Sequence, residues 1–295
     1  MKKVSIITVN FNQPKVTTEF LSSVALSGDH PHEIIVVDNG SYTDQTEELR
    51  IKFPDAVYIR SDENLGFAGG NNIGIKKSSG DYLFFVNNDT EYTTGLIFKL
   101  KLILDNNPDV GAVSPKILYF NNPEIIQYAG FTPMNFNTGR NKCLGQFEKD
   151  FGQYDSNTGP TAYAHGAAMM VRREAIERAG VMPENYFLYY EEMDWCEQIK
   201  RSGFQIWIEP KAQIYHKESM SVGVKSPLKE YFMTRNRILF IRRNGSFLNN
   251  LLFGIYFSII VVPKSILKYI ILLRVDLAME FLKAIRWNIL NGKNR

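Results

Sequence analysis

Through the first 115 residues, apolar runs of strand length alternate with stretches whose apolar side chains recur every third or fourth position. Val4-Ser5-Ile6-Ile7-Thr8-Val9 reads as a buried strand, and Pro14 then opens a helix carrying Val16, Phe20 and Val24 at helical spacing. Glu33-Ile34-Ile35-Val36-Val37 predicts a second strand, followed by a short polar helix and a third strand from Ala56 to Arg60. A Gly- and Asn-rich stretch, 64–74, precedes a fourth strand from Asp81 to Val86, and a helical pattern covers Leu96 to Asn106. Strands alternating with helices argue for an α/β fold with a mostly parallel sheet covered on both faces. In such sheets ligands sit beyond the carboxyl ends of the strands. The endings VNFN, VDNGS and VNNDT are therefore expected to converge on one crevice.

The second half is less regular. Residues 120–165 are rich in Asn, Gly and Thr and predict loops with short strands. Glu191 to Ser202 reads as a helix stopped by Gly203, with strands at Phe204 to Ile208 and Ala212 to Tyr215. A longer helix runs from Pro227 to Arg243 and stops at Arg242-Arg243-Asn244-Gly245. Residues 247–273 are strongly apolar but interrupted by Pro263, Lys264 and Lys268. The longest clean stretch, Leu251 to Val262, falls short of the roughly 20 apolar residues a membrane span needs. The reading is a pair of basic amphipathic helices lying in a membrane interface. The alternative is a helical cap on the α/β domain or a contact with a second subunit.

Charge supports a distinct tail. Residues 246–295 hold seven Lys/Arg against two Asp/Glu, whereas the remainder holds 27 against 29. A basic apolar tail is drawn to anionic headgroups. The 44% apolar and 22% charged content of the 295-residue chain is ordinary for a globular protein with ample core. Two cysteines, Cys143 and Cys196, provide neither a disulfide framework nor metal-type spacing, which fits a reducing compartment. The basic start MKK is followed by only six residues before Asn10, too few for a secretory signal, so a cytosolic start is expected.

The polar strand endings raise the question of chemistry. Asn87, Asn88, Asp89 and Thr90 suit a turn ahead of a helix, yet Asp89 also suits a cation at the carboxyl edge of a sheet. A dinucleotide fold wants G-x-G-x-x-G after the first strand, and here that turn is Asn10-Phe11-Asn12-Gln13-Pro14. Gly66, Gly69, Gly70 and Gly74 have the wrong spacing and come two strands late, and no phosphate-binding G-x-x-x-x-G-K-[ST] loop exists. Hydride transfer and P-loop phosphoryl transfer both lose ground.

VSIITVNFN, VVDNGSYTD, NLGFAGGNNIG and FFVNNDT, in that order, resemble the donor half of family 2 glycosyltransferases. HGAAMMVRREA, FLYYEEMDWCEQIKRSG, AQIYHKESMS and YFMTRNRILFIRR continue the resemblance over about residues 3–243, nearest to the bacterial rhamnosyltransferase-like branch. The resemblance implies a GT-A fold, a nucleotide-binding α/β/α sandwich with a mostly parallel mixed sheet. It also implies an inverting enzyme that uses Mg2+ or Mn2+. The domain reading that follows is a catalytic domain at 1–245, with a nucleotide-sugar half at 1–115 and an acceptor half at 116–245. The helical membrane-associating segment is 246–295.

The same resemblance assigns roles. Thr8, Val9 and Asn10 line the nucleotide pocket, and Asp38 reads the pyrimidine edge, where an acceptor suits a ring N–H. Asn64, Gly66 and Asn71 match a loop under ribose and diphosphate. Asn88 and Asp89 close a degenerate D-x-D element, and Asp89 and His216 are the expected metal ligands. Glu192 maps to the general base, one methylene longer than the Asp of some relatives, so Asp194 stays open as the competing base, with Glu191 beside it; carboxylates in a first helical turn also complement the dipole. Apart from the resemblance, Arg235 and Arg237 are candidates to meet diphosphate or a lipid phosphate, with Arg235 counted in the donor site; a solvated helix face is the alternative for both. Expected partners are a dTDP- or UDP-sugar, a glycan or lipid-linked acceptor in surface polysaccharide synthesis, and the cytoplasmic membrane face. No nucleic acid is expected, and a homo-oligomer is left open. Two other classes stay in view: a non-catalytic nucleotide-sugar-binding scaffold, and a sugar nucleotidyltransferase, which normally carries a Gly-rich basic loop where NFNQP stands.

Overall fold

A computed structural model of the chain describes residues 2–44, 46–217 and 226–291. The residues of AQIYHKESMS after Lys217, and Lys293 and Arg295 of the tail, lie outside them. The first half follows the alternation closely: β1 (Val4–Asn10), α1 (Pro14–Leu26), β2 (Glu33–Asn39), α2 (Thr46–Lys52), β3 (Val57–Ser61), α3 (Gly66–Lys77) and β4 (Tyr82–Val86). Next come β5 (Thr90–Glu91), α4 (Leu96–Asn106), β6 (Val110–Tyr119), β7 (Asn122–Tyr128), β8 (Gly159–Pro160) and β9 (Ala168–Arg172). The α/β part closes with α5 (Arg173–Ala179), α6 (Glu191–Arg201) and β10 (Gln205–His216). Helix α7 (Pro227–Asn244), a long α8 (Phe247–Ile271) and α9 (Val275–Leu290) complete the chain.

One mixed sheet runs in the order β3-β2-β1-β4-β9-β6-β10-β5, with β7 on β6 and β8 on β10. It is parallel from β3 to β4 and between β6 and β10, and antiparallel where β9 is inserted between β4 and β6. Alternate side chains serve opposite faces. Val4, Ile6, Val36, Phe84 and Val86 join Phe20, Leu21 and Val24 of α1 and Leu96, Leu100 and Leu104 of α4 in one core. On the other face Ile7 and Val9 meet α3, and Phe85 packs edge-on against Trp195 of α6 with ring centroids 5.3 Å apart. The result is a three-layer α/β/α sandwich.

Three local expectations are corrected. The stretch 66–74 is helical, not a loop, despite its poor helix propensity. A Cβ on Gly70 would lie 2.9 Å from Val9, and one on Gly74 2.4 Å from Ile7, so missing side chains let α3 lie close on β1. The separate strands expected at 204–208 and 212–215 form the single strand β10, which passes Pro210 through a register shift between Glu209 and Gln213. Pro263 does not break the tail helix. Phe257–Val261 forms a π turn in which the Val262 N–H reaches back to Phe257 O, and this wider turn precedes the proline, where the regular ladder would fail.

Contacts divide the chain into two compact units. The first comprises Met1–Thr132, Lys142–Phe187 and Glu191–Glu218 and contains the sheet. The second comprises Pro133–Asn141, Leu188–Tyr190 and the described part of Ser219–Arg295, and thus groups α7 with the tail. Within it Phe136 and Tyr190 pack on Phe240, while Phe253, Phe257, Tyr269 and Phe281 form an aromatic cluster. Another face of α8 is open: Leu248, Leu251, Leu252, Ile255, Ile259, Ile260, Leu267, Ile270 and Ile271 are exposed.

Gly74→Ala is expected to lower stability by about 1–3 kcal/mol through overpacking against Ile7. Gly254→Ala, where an added Cβ meets nothing within 4 Å, serves as the control. Thermal melts of both variants check this, and equal midpoints would refute the close α3–β1 contact.

Candidate active site

Parallel pairing places Asn10 directly beside Asp38 at the carboxyl ends of β1 and β2. The Asn10 amide donates to Asp38 Oδ1 at 3.0 Å, and its oxygen accepts from Thr17 Oγ1 at 3.0 Å and from the Gln13 N–H at 3.2 Å. Thr17 Oγ1 in turn accepts from Asn88 Nδ2 at 2.9 Å, joining the end of β4 to the same network. Ser41 Oγ donates to Asp38 Oδ1 and also accepts the Asn12 N–H at 2.8 Å. Asp38 Oδ2 is buried without a hydrogen-bond donor, and its nearest countercharge is Arg60 Nε at 3.8 Å. Thr8 Oγ1 is likewise buried without a partner, while Val9 packs beneath α3. Buried acceptors normally find donors, so Asp38 Oδ2 is a position where an incoming N–H is accommodated well.

Asn39, which sequence reading passed over, organises the approach to α3. Its amide donates to Asn64 Oδ1 and Gly66 O, and its oxygen accepts the Leu65 N–H. Gly66 has φ +73, and a Cβ there would come 2.3 Å from Phe187 O, so only glycine fits this approach. Asn71 lies inside α3 with its amide on Phe67 O at 2.9 Å.

Antiparallel pairing of β5 with β10 puts His216 opposite Thr90 and so brings its ring to Asp89. His216 Nε2 lies 3.1 Å from Asp89 Oδ1, and Nδ1 lies 2.9 Å from Gln127 Oε1. In the tautomer that donates Nδ1–H to Gln127 Oε1, the Nε2 lone pair is turned toward Asp89 Oδ1, so two acceptors face each other in a buried place. A divalent cation satisfies both. Their separation is about that of neighbouring ligands on an octahedral ion held at roughly 2.1 Å. The pair therefore fits a cation, with remaining ligands to come from substrate and water; no group of three or more His, Cys, Asp or Glu suited to a metal occurs among the described residues. A proton on Nε2 is the competing way to satisfy the pair.

Two neighbours were not assigned from sequence. Gln127 orients His216 from β7, and the half-buried His165 lies 6.3 Å from it, ring to ring. Burial pushes the His165 pKa down to about 3, so this imidazole is neutral. Its Nδ1 accepts the Ala167 N–H at 3.1 Å. His165 was visible in HGAAMMVRREA, but nothing local to that stretch reveals its nearness to His216.

The acidic cluster opens α6. Glu191 and Asp194 are buried, at 3% and 0% exposure, whereas Glu192 is only partly buried. Glu192 lies over Gly166, where an added Cβ would sit 3.5 Å from its Cγ. The chain reaches this helix through an unusual run: Phe187, Tyr189 and Tyr190 have φ of 64, 69 and 78. Non-glycine residues in the left-handed region cost of order 1–3 kcal/mol each. Arg235 belongs to the second unit, where its guanidinium lies 4.5 Å from the Trp287 ring centre and 5.1 Å from that of Phe232. Arg237, also there, donates to Thr138 O.

A family model described as glycosyl transferase family 2 matches residues 5–180, more than half of the chain. The chain belongs to glycosyl transferase family 2. It is 28% identical over 243 residues to the low-salt glycan biosynthesis hexosyltransferase of Haloferax volcanii, covering 80% of this chain and 74% of that one. It is 24% identical over 240 residues to the N-acetylglucosaminyl-diphospho-decaprenol L-rhamnosyltransferase of Mycobacterium tuberculosis, covering 74% and 77% respectively. Among solved structures, a mannosyltransferase from Pyrobaculum calidifontis in complex with GDP-Man and Mn2+ matches at a TM-score of 0.59 and 16% identity. That match covers 99% of this chain and 76% of the other, and shows the shared GT-A fold. This family 2 glycosyltransferase thus has the α/β architecture its sequence predicted.

Proposed function

We propose that the chain transfers a hexosyl group, rhamnosyl being the first candidate, from a pyrimidine nucleoside-diphosphate sugar to a glycan or lipid-linked hydroxyl, with inversion. Relatives named as a hexosyltransferase and a rhamnosyltransferase support the class. The observation that carries the mechanism is the unequal burial of the acidic cluster, in which Glu192 alone keeps an accessible side chain. Glu192 removes the proton from the acceptor hydroxyl. The hydroxyl oxygen bonds to the anomeric carbon as the bond to the diphosphate oxygen breaks, and the nucleoside diphosphate leaves with the electron pair. The full burial of Asp194 supports reading Glu192, and not Asp194, as the group that meets the acceptor.

Asp38 Oδ2, with no donor of its own, accepts the ring N–H shared by uracil and thymine. Thr8, Asn10, Asn64 and Asn88 frame this nucleotide end, and Gly66 and Asn71 hold α3 beneath it. Asp89 and His216 would hold a divalent cation, Mg2+ or Mn2+, which when bound would supply positive charge to offset that developing on the leaving diphosphate.

The exposed apolar face of α8 rests on the cytoplasmic membrane surface in this proposal. Phe247–Ile271 is long and apolar enough to cross a membrane by length and composition, with 17% of its most apolar window buried. Lys264 and Lys268 are both exposed on it, which favours an interfacial position with the ammonium groups at the headgroups.

Glu192→Gln is expected to lower turnover by roughly 10²-fold or more while nucleotide affinity stays within twofold, because a base acts in the chemical step. Release of nucleoside diphosphate from a panel of sugar nucleotides measures this, with Asp194→Asn alongside. Loss in Asp194→Asn together with retention in Glu192→Gln would move the base to Asp194.

The full chain is expected to float with vesicles containing anionic lipid, and the Ile255→Glu/Ile259→Glu variant to stay in the soluble fraction. Sedimentation of the parent away from such vesicles would contradict the membrane assignment. Protease access to the C-terminus from the opposite side of sealed vesicles would show a span instead.

A further inference from the structure

His165 has no part in the chemistry proposed above, yet it stands between the groups that carry it. Its neighbour Gly166 lies against Glu192, where an added Cβ would sit 3.5 Å from Glu192 Cγ. Its own ring centre is 6.3 Å from that of His216. All of these residues belong to the first compact unit. The turn that carries His165 is tied on three sides. The His165 N–H donates to Ser114 Oγ at 3.0 Å, and the Ala168 N–H returns to His165 O at 3.1 Å. The Asn87 N–H donates to Ala167 O at 3.0 Å, which joins the turn to the Asn87-Asn88-Asp89 element.

The ring is fixed in plane and in tautomer. Phe131 lies parallel to it, with an interplanar angle of 3° and ring centres 6.1 Å apart, and the Tyr128 ring centre is 5.2 Å away. The Ala167 N–H donates to Nδ1 at 3.1 Å, so Nδ1 carries no proton and the neutral ring keeps its hydrogen on Nε2. That Nε2–H meets no acceptor among the described residues, and the side chain is only half-buried. Polar groups shielded by the fold normally find partners, so a donor held this firmly and left unused points to a ligand oxygen.

We infer that His165 is a substrate-binding residue whose Nε2–H donates to a hydroxyl oxygen of the transferred hexosyl ring. The inference rests on the reading of Glu192 as the base and of Asp89 and His216 as the diphosphate end. In an in-line displacement the transferred ring lies between the base and the leaving diphosphate. His165 lies between those same two groups. A neutral donor suits this place. It holds a hydroxyl without adding positive charge beside the cation, or beside the anomeric carbon as its bond to the diphosphate oxygen breaks. A site built to hydrogen-bond a hydroxyl also rejects sugars that lack it, so His165 contributes to the choice of donor sugar.

The test uses the full chain with Mn2+ and compares bare UDP and dTDP with UDP-glucose, UDP-galactose, dTDP-glucose and dTDP-rhamnose. His165→Asn keeps an amide oxygen near the Nδ1 position and leaves nothing at Nε2, whereas His165→Gln returns an N–H near Nε2. Release of nucleoside diphosphate, with water as acceptor, reads turnover. In His165→Asn, kcat/KM is expected to fall about tenfold, the upper end for one neutral hydrogen bond, with UDP and dTDP affinity within twofold. His165→Gln is expected to recover about a third or more of the parental kcat/KM. Equal losses in the two variants would overturn the inference. So would a matching loss of UDP and dTDP affinity, the mark of a structural or metal-end role. Where neither variant folds, or none of the four sugar nucleotides turns over, histidine 15N–1H spectra of the parent decide. The His165 Nε2–H resonance is expected to shift with a sugar nucleotide and not with the bare diphosphate. A ring protonated on Nδ1, or no difference between the two kinds of ligand, would overturn the inference. Glu192→Gln separates this from the base reading: full turnover there removes the base assignment, while the contrast between sugar nucleotides and bare diphosphates still judges His165.

Discussion

The register of β1 against β2 and β4 is the constraint on which the nucleotide end of the molecule depends. Parallel strands end on the same side of a sheet, so Asn10, Asp38 and Asn88 meet only because β1 lies between its two neighbours in this register. A slip of one residue would turn Asp38 to the opposite face. The register is defended from both layers. Val4 and Ile6 are sealed beneath α1 and α4, and Ile7 and Val9 lie under glycines of α3 that tolerate no added carbon. Apolar packing thus sets where the polar strand ends point, and the Asn10–Thr17–Asn88 hydrogen bonds then join them.

The second half of the site is built differently. Asp89 and His216 are far apart in sequence and meet through the two-residue strand β5 on β10. Glu192 stands at the start of a helix whose approach is strained. The positive φ values at Phe187, Tyr189 and Tyr190 are a geometry the local chain would not choose, a pattern expected where function and not stability sets the conformation.

Much of this was legible in the sequence, for identifiable reasons. β1, β2, β4, α1 and α4 have strong periodicity and clear turn residues, and the structure places them within a few residues of expectation. The stretch 66–74 was misread because its glycines lower helix propensity, whereas the fold uses them for close helix–sheet contact, a tertiary effect that overrides the local preference. Pro210 and Pro263 suggested breaks, yet a register shift in one case and a π turn in the other absorb them. Asn39, Gln127 and His165 were not assigned because their roles come from partners 25 or more residues away, which no local pattern records.

Asp38, Asp89 and His216 are proposed to belong to one metal-assisted site for a pyrimidine nucleoside diphosphate. Calorimetric titration of UDP, dTDP and GDP into the protein, with Mn2+ and with EDTA, tests it most directly. UDP or dTDP is expected to bind more tightly than GDP and at least tenfold more weakly in EDTA, and the Asp89→Ala variant is expected to behave in Mn2+ as the parent does in EDTA. Equal affinity in Mn2+ and EDTA, or a preference for GDP, would contradict it.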